Sequence, residues 1–70
     1  MDAEIYFREG GNTIISNLTQ IIRPSSSGGN KTITDFSQFF LWENTNFTFV
    51  GESETVSVNS EDILYVKFCN

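Results

Sequence analysis

The sequence predicts an all-β protein with a small single antiparallel sheet, curled or forming an open barrel, of about five to seven short strands. Segments in which apolar and polar residues alternate are separated by turn-forming clusters, roughly every eight to twelve residues. Aromatic residues make up 14% of the chain, and their large side chains build a core from few positions. With 70 residues there is room for one domain, residues 1–70.

The first segments predict a hairpin. Ala3–Glu9 alternates apolar and polar residues, which is typical of a half-buried strand. Gly10 and Gly11 follow, and glycine adopts the positive φ angles of tight turns at low cost. We therefore expect a second strand over Thr13–Ser16.

The segment Ile14–Ile22 allows two interpretations. Its apolar spacing fits one face of a helix that Pro24 would end. Its many Ile, Thr, Asn and Ser residues, which are unfavourable inside helices, instead fit two short strands that bend at Asn17-Leu18. We favour the strands.

The chain between Pro24 and Asn30 is rich in Ser and Gly and predicts an exposed, mobile loop. Beyond it, Lys31–Trp42 is interpreted as extended, either as a central strand or as a strand with one face on a partner. A short helix capped by Asp35 is the alternative. Apolar residues occupy both faces of that predicted strand: Phe36, Phe40 and Trp42 on one, and Phe39 and Leu41 on the other.

The remainder of the chain predicts three more strands, each preceded by a turn-forming segment. Asn59–Asp62, just before the last strand, is expected to form a turn or a single helical turn capped by an Asn or Ser side chain. The strands are Phe47–Val50, Thr55–Val58 and Ile63–Phe68.

Composition argues against catalysis. The chain has no histidine and one cysteine, so it lacks the usual general base near neutral pH, an internal disulfide and the ligands of a zinc site. Acidic pairs occur only in predicted turns, where water keeps carboxylates ionised rather than tuned for acid catalysis. We predict that the protein is not an enzyme and has no catalytic residue, cofactor or metal.

Charge and segment lengths limit the partners. The formal net charge is −5, which repels phosphate backbones and anionic lipid, so we expect neither direct nucleic-acid binding nor membrane association. The acidic amino-terminal residues do not resemble a signal peptide, and a lone thiol is compatible with a reducing compartment. We predict a cytoplasmic protein.

The aromatic residues suggest a protein-binding surface. Exposed aromatic side chains with few charges around them mark interfaces, and a short chain gains buried area by self-association. We predict a non-catalytic interaction module that forms homo-oligomers. Its contact surface would consist of Phe39, Leu41, Trp42 and Tyr65.

The alternative is an acidic inhibitor that imitates nucleic acid, of the anti-CRISPR type, and meets a basic groove on a host protein. Its acidic surface would consist of Glu52, Glu54, Glu61 and Asp62.

The carboxyl-terminal third resembles the ending of small, uncharacterised β-rich proteins encoded by phages and prophages of Gram-positive bacteria. The similar segments are Phe47–Gly51, Val56–Val58 and Glu61–Phe68. This resemblance implies a phage or mobile-element origin and one of two roles, an assembly component or an inhibitor of a host protein.

Overall fold

The computed structural model describes residues 1–70 and contains seven strands in two antiparallel sheets, which are not closed into a barrel. The all-β prediction is confirmed, with the strands divided between two sheets. The three-stranded sheet has the order β2-β1-β7, and the four-stranded sheet has the order β4-β3-β5-β6. The strands are β1 (Asp2–Phe7), β2 (Asn12–Ile15), β3 (Leu18–Pro24), β4 (Asn30–Ile33), β5 (Asn46–Gly51), β6 (Thr55–Asn59) and β7 (Ile63–Cys69).

The amino-terminal hairpin forms as the sequence predicts. β1 and β2 pair antiparallel, with Ala3 opposite Ile15. Gly10 and Gly11 have φ angles of 105° and 82°, a region that favours glycine. The Phe7 N–H donates to the Gly11 carbonyl oxygen at 3.1 Å and closes the turn.

The ambiguous segment consists of two strands joined at a corner, and the strand interpretation is confirmed. β2 ends at Ile15 and β3 begins at Leu18. Asn17 lies between them with a φ of 53°, a left-handed conformation that Asn tolerates better than most residues. The Asp2 carboxylate accepts a hydrogen bond from the Asn17 backbone N–H at 3.0 Å. This corner carries the chain from the three-stranded sheet to the four-stranded one.

The extended prediction for Lys31–Trp42 is wrong beyond Ile33. β4 ends there, and Phe36–Gln38 forms a 3-10 helix with Asp35 as its N-cap. The Asp35 carboxylate accepts from the Ser37 N–H at 3.2 Å and from the Ser37 hydroxyl at 2.6 Å. Because this side chain stabilises a helical turn, the chain leaves the sheet, and the alternative interpretation holds.

One core lies between the two sheets. The alternating residues of β1 and β2 face those of β3 and β5, and burying each large apolar side chain contributes about 1.5–3 kcal/mol. A second 3-10 helix, Ser60–Asp62, leads into β7. No helix has the length and apolar character needed to cross a membrane. The buried apolar residues are Ala3, Ile5, Ile15, Leu18, Ile21, Phe47, Phe49 and Ile63.

Candidate interaction surface

Two of the four predicted interface residues pack against the core. Phe39 and Leu41 are partly buried and contact the buried cluster. The centroid of the Phe39 ring lies 5.2 Å from that of Phe47, 5.5 Å from Phe68 and 6.0 Å from Phe49. Aromatic rings at these separations stabilise one another, so Phe39 joins the two sheets from the loop after the 3-10 helix.

Trp42 is exposed in the loop before β5. Its side chain is 50% exposed, with the Phe40 ring edge-on at a centroid distance of 5.5 Å. The Arg23 guanidinium lies 5.0 Å from the indole centroid, a cation–π distance. An open cleft of about 360 Å³ beside Trp42 is lined mainly by polar residues: Arg23, Pro24, Ser25, Ser26, Asn44, Thr45 and Asn46.

Tyr65 is exposed on the outer face of the three-stranded sheet. It lies opposite Tyr6 on β1, and the two rings stack with their centroids 4.4 Å apart. The pKa of Tyr6 is raised to about 12, first by hydrogen bonding of its neutral phenol to the Glu4 carboxylate and then by desolvation. Glu4 in turn accepts a hydrogen bond from the Asn12 side-chain amide at 2.6 Å. Tyr65 therefore belongs to a polar and aromatic row that crosses all three strands.

Two exposed apolar residues of the same sheet were missed by the sequence analysis. Ile14 on β2 is 50% exposed and Leu64 on β7 is 54% exposed. The pairing of β1 with β7 shifts between Tyr6 and Phe7, so Leu64 is the extra residue of a β-bulge. Strict alternation places Leu64 with the inward-facing residues. A bulge leaves no clear mark in a single sequence.

β7 forms an open edge of its sheet, with β1 on one side and no strand on the other. The Phe7 N–H donates to Gly11, so the backbone groups of Phe7 point towards β2, and those of Tyr6 point towards β7. Tyr65, which lies opposite Tyr6, therefore uses its backbone groups on β1. By the same alternation, the N–H and carbonyl groups of Val66 point to the open edge.

The four predicted acidic residues form two separated pairs, all of them exposed. Glu52 and Glu54 lie in the turn before β6, and Glu61 and Asp62 lie in the 3-10 helix after it. The five residues of β6 separate the pairs by about 16 Å at the usual rise of a strand. Whether these carboxylates meet a basic partner stays a prediction.

No group of three or more His, Cys, Asp and Glu side chains is placed to hold a metal ion. The thiol of Cys69 is free and partly buried. The fold and its open edge define a small, two-sheet antiparallel β protein. No protein-family model, curated protein or solved structure matches this chain.

Proposed function

We propose that this protein is a non-catalytic protein–protein interaction module that self-associates. The observation that carries the proposal is β7, an open edge strand with two large apolar side chains, Leu64 and Tyr65, each about half exposed. Sheets usually protect such edges, because unpaired backbone groups beside apolar side chains are a template for another chain.

The size of the core supports the same proposal. Eight apolar residues are buried in a chain of 70, and no disulfide supplements them. Short domains bury a smaller share of their surface than long ones do, so their stability gains from any further apolar area that association removes from water. Binding that occurs only in the folded state adds to stability by mass action.

The predicted setting is the cytoplasm of a bacterial host or a phage-infected cell. The phage or host setting rests on the resemblance of Phe47–Gly51, Val56–Val58 and Glu61–Phe68 to phage-encoded β-rich proteins. The cytoplasm rests on the lone thiol, which is compatible with a reducing compartment. The proposed non-catalytic role rests on a chain without histidine. In that setting, a self-associating module fits an assembly component better than an enzyme.

Sedimentation equilibrium up to high micromolar concentration tests the proposal. We expect reversible association that Tyr65→Ser weakens, because this change removes an exposed ring from β7. Trp42→Ser is the matched control, an equally exposed aromatic residue outside the three-stranded sheet. A strict monomer would contradict the proposal. Weakening by Trp42→Ser alone would move the contact to the loop before β5.

Ionic strength separates this proposal from the acidic inhibitor. The exposure of all four carboxylates is what favours the inhibitor. Binding through those charges would weaken steeply as salt rises. At 0.1 M salt, interactions between exposed charges more than about 10 Å apart are largely screened. Association through Leu64 and Tyr65 should change little with salt. We therefore expect similar association constants in low and high salt.

A further inference from the structure

The open edge of β7 has a composition that suits a second copy of the same strand. The chain carries a net charge of −5, whereas the only charged residue of β7 is Lys67. Two copies that meet through β7 therefore bring no carboxylate of these strands together. Like charges placed directly opposite each other destabilise a strand pair, so the position of Lys67 limits how two copies can align.

We propose that two copies pair antiparallel through β7, with the two-fold axis at Val66, and so join two three-stranded sheets into one of six strands. This inference rests on the proposed self-association and specifies its geometry. The axis at Val66 is the one that pairs the whole strand, since Val66 is the central residue of Ile63–Cys69. Its outward N–H and carbonyl groups then bond to those of Val66 in the second copy.

Side chains complement one another in this register. On the outer face, Lys67 of one copy lies opposite Tyr65 of the other, where the lysine stem covers an exposed ring. On the opposite face, Leu64 lies opposite Phe68 of the second copy, which covers the half-exposed leucine. An axis at Lys67 would instead oppose two ammonium groups. An axis at Tyr65 would centre the pairing on the bulge at Leu64 and leave Phe68 opposite a residue outside the strand.

A lysine and a β-bulge are two devices that discourage edge pairing in natural sheets. In β7 the bulge is confined to Leu64, close to the start of the strand, so Tyr65–Cys69 pairs regularly with β1. The backbone N–H and carbonyl groups of Lys67 point to β1, as those of Tyr65 do, because the two residues are two positions apart on the strand. These two features disfavour axes at Tyr65 and at Lys67 and leave the Val66 register open.

Disulfide cross-linking of single-cysteine variants tests the register. With Cys69→Ser as the background, cysteine is introduced separately by Tyr65→Cys, Val66→Cys and Lys67→Cys. In the proposed register, the two Cα atoms at position 66 lie about 5.5 Å apart, within disulfide range. Those at position 65, and those at position 67, lie about 8 Å apart, beyond the limit of about 7 Å.

We expect mild oxidation to convert most of Val66→Cys to a covalent dimer and to leave Tyr65→Cys and Lys67→Cys largely monomeric on non-reducing gels. Circular dichroism checks that each variant is folded. A dominant cross-link through Tyr65→Cys or Lys67→Cys would overturn the register. No cross-link from any variant, while sedimentation still shows association, would overturn β7 pairing and leave the proposed function standing. A strictly monomeric wild type would overturn both.

A proline substitution gives a second test that needs no cross-link. Val66→Pro removes the N–H that points to the open edge, and edge strands tolerate proline at such positions. Thr32→Pro is the matched control on β4. The Ser25 N–H bonds to the Gly29 carbonyl, so the alternation points the Thr32 N–H away from β3. We expect Val66→Pro to abolish association while Thr32→Pro retains it. Equal association of both folded variants would refute the pairing.

Discussion

Replacing Gly51 with Ala tests how closely the two sheets approach. A Cβ atom at Gly51 would lie 2.7 Å from Cγ2 of Ile15 and 2.8 Å from the carbonyl oxygen of Ser16. Carbon atoms normally pack at about 3.5–4.0 Å and carbon–oxygen contacts at about 3.3–3.6 Å. Both neighbours would therefore have to move by roughly 0.5–1 Å. The oxygen belongs to the backbone of the corner between β2 and β3, so the corner must move with it.

The expected cost follows from overpacking. Inserting a methyl group into a filled site costs about 1–3 kcal/mol. A domain of this length has a free energy of unfolding of roughly 4–10 kcal/mol, so the loss is a large share of its stability. At about 4–8 °C per kcal/mol for small domains, a cost of about 2 kcal/mol lowers the Tm by about 8–16 °C.

Thermal and urea unfolding followed by circular dichroism measure this effect. Ser53→Ala is the matched control, because this nearby side chain is exposed and its truncation adds no atom to the contact. We expect the control to stay within about 0.5 kcal/mol of wild type. If Gly51→Ala melted within about 2 °C of wild type, the close approach at Gly51 would be refuted.

Three further predictions concern single side chains. Phe39→Ala should lower the free energy of unfolding, measured by urea titration, by about 3 kcal/mol or more. In the same titration Phe40→Ala, at a 64% exposed position, should cost less than about 0.5 kcal/mol. Equal costs would contradict the core role of Phe39. Glu4→Gln should lower the pKa of Tyr6 from about 12 towards its usual value, as ultraviolet absorbance during alkaline titration reports, and an unchanged pKa would contradict the assigned cause. Because the folded pKa of Tyr6 exceeds the unfolded one, its stabilising contribution in wild type is complete below pH 10 and is lost as the pH rises towards about 12. Ser60→Ala should lower the free energy of unfolding by about 1–3 kcal/mol, because the buried Ser60 hydroxyl accepts a hydrogen bond from the backbone N–H of Thr45 at 2.9 Å. An unchanged free energy in urea unfolding would show that another group satisfies that N–H.

Local patterns predicted most of the strands. Ala3 and Ile5 alternate with polar residues and are buried, and Gly10 and Gly11 provide the turn that pairs β1 with β2. These features depend on neighbours along the chain. A period of two residues and a glycine pair are readable without knowing the rest of the structure.

The segment after β4 shows where such patterns mislead. Phe36–Trp42 carries apolar residues at both parities, which fits an extended strand as well as an irregular loop over a core. The outcome depends on the Asp35 carboxylate, which stabilises a helical turn, and on the place that the tertiary structure gives Phe39 among the core rings. The second of these contacts is not local.

The four residues of the predicted interface do not form one surface, for the same reason. Phe39, Leu41 and Trp42 were assigned to one contact surface because apolar residues occupy both faces of the predicted strand, but the loop turns the first two towards the core and leaves Trp42 exposed. Tyr65 is exposed on β7 as the alternation of its strand indicates. Leu64 could not be found in this way, because alternation groups it with the partly buried Val66 and Phe68, whereas the shift in pairing with β1 leaves it unpaired and exposed.

The pairing of β1 with β7 also determines the order in which the protein can fold. Asp2 lies opposite Cys69, so pairing β1 with β7 closes a loop that contains all the other strands. The four strands β3 to β6 pair over shorter distances along the sequence. Contacts between distant residues slow folding, because chain entropy is lost before the contacts compensate for it. During synthesis, β1 is made before β7 and must wait for it to leave the ribosome. Until then β1 can pair only with β2, and the three-stranded sheet stays incomplete.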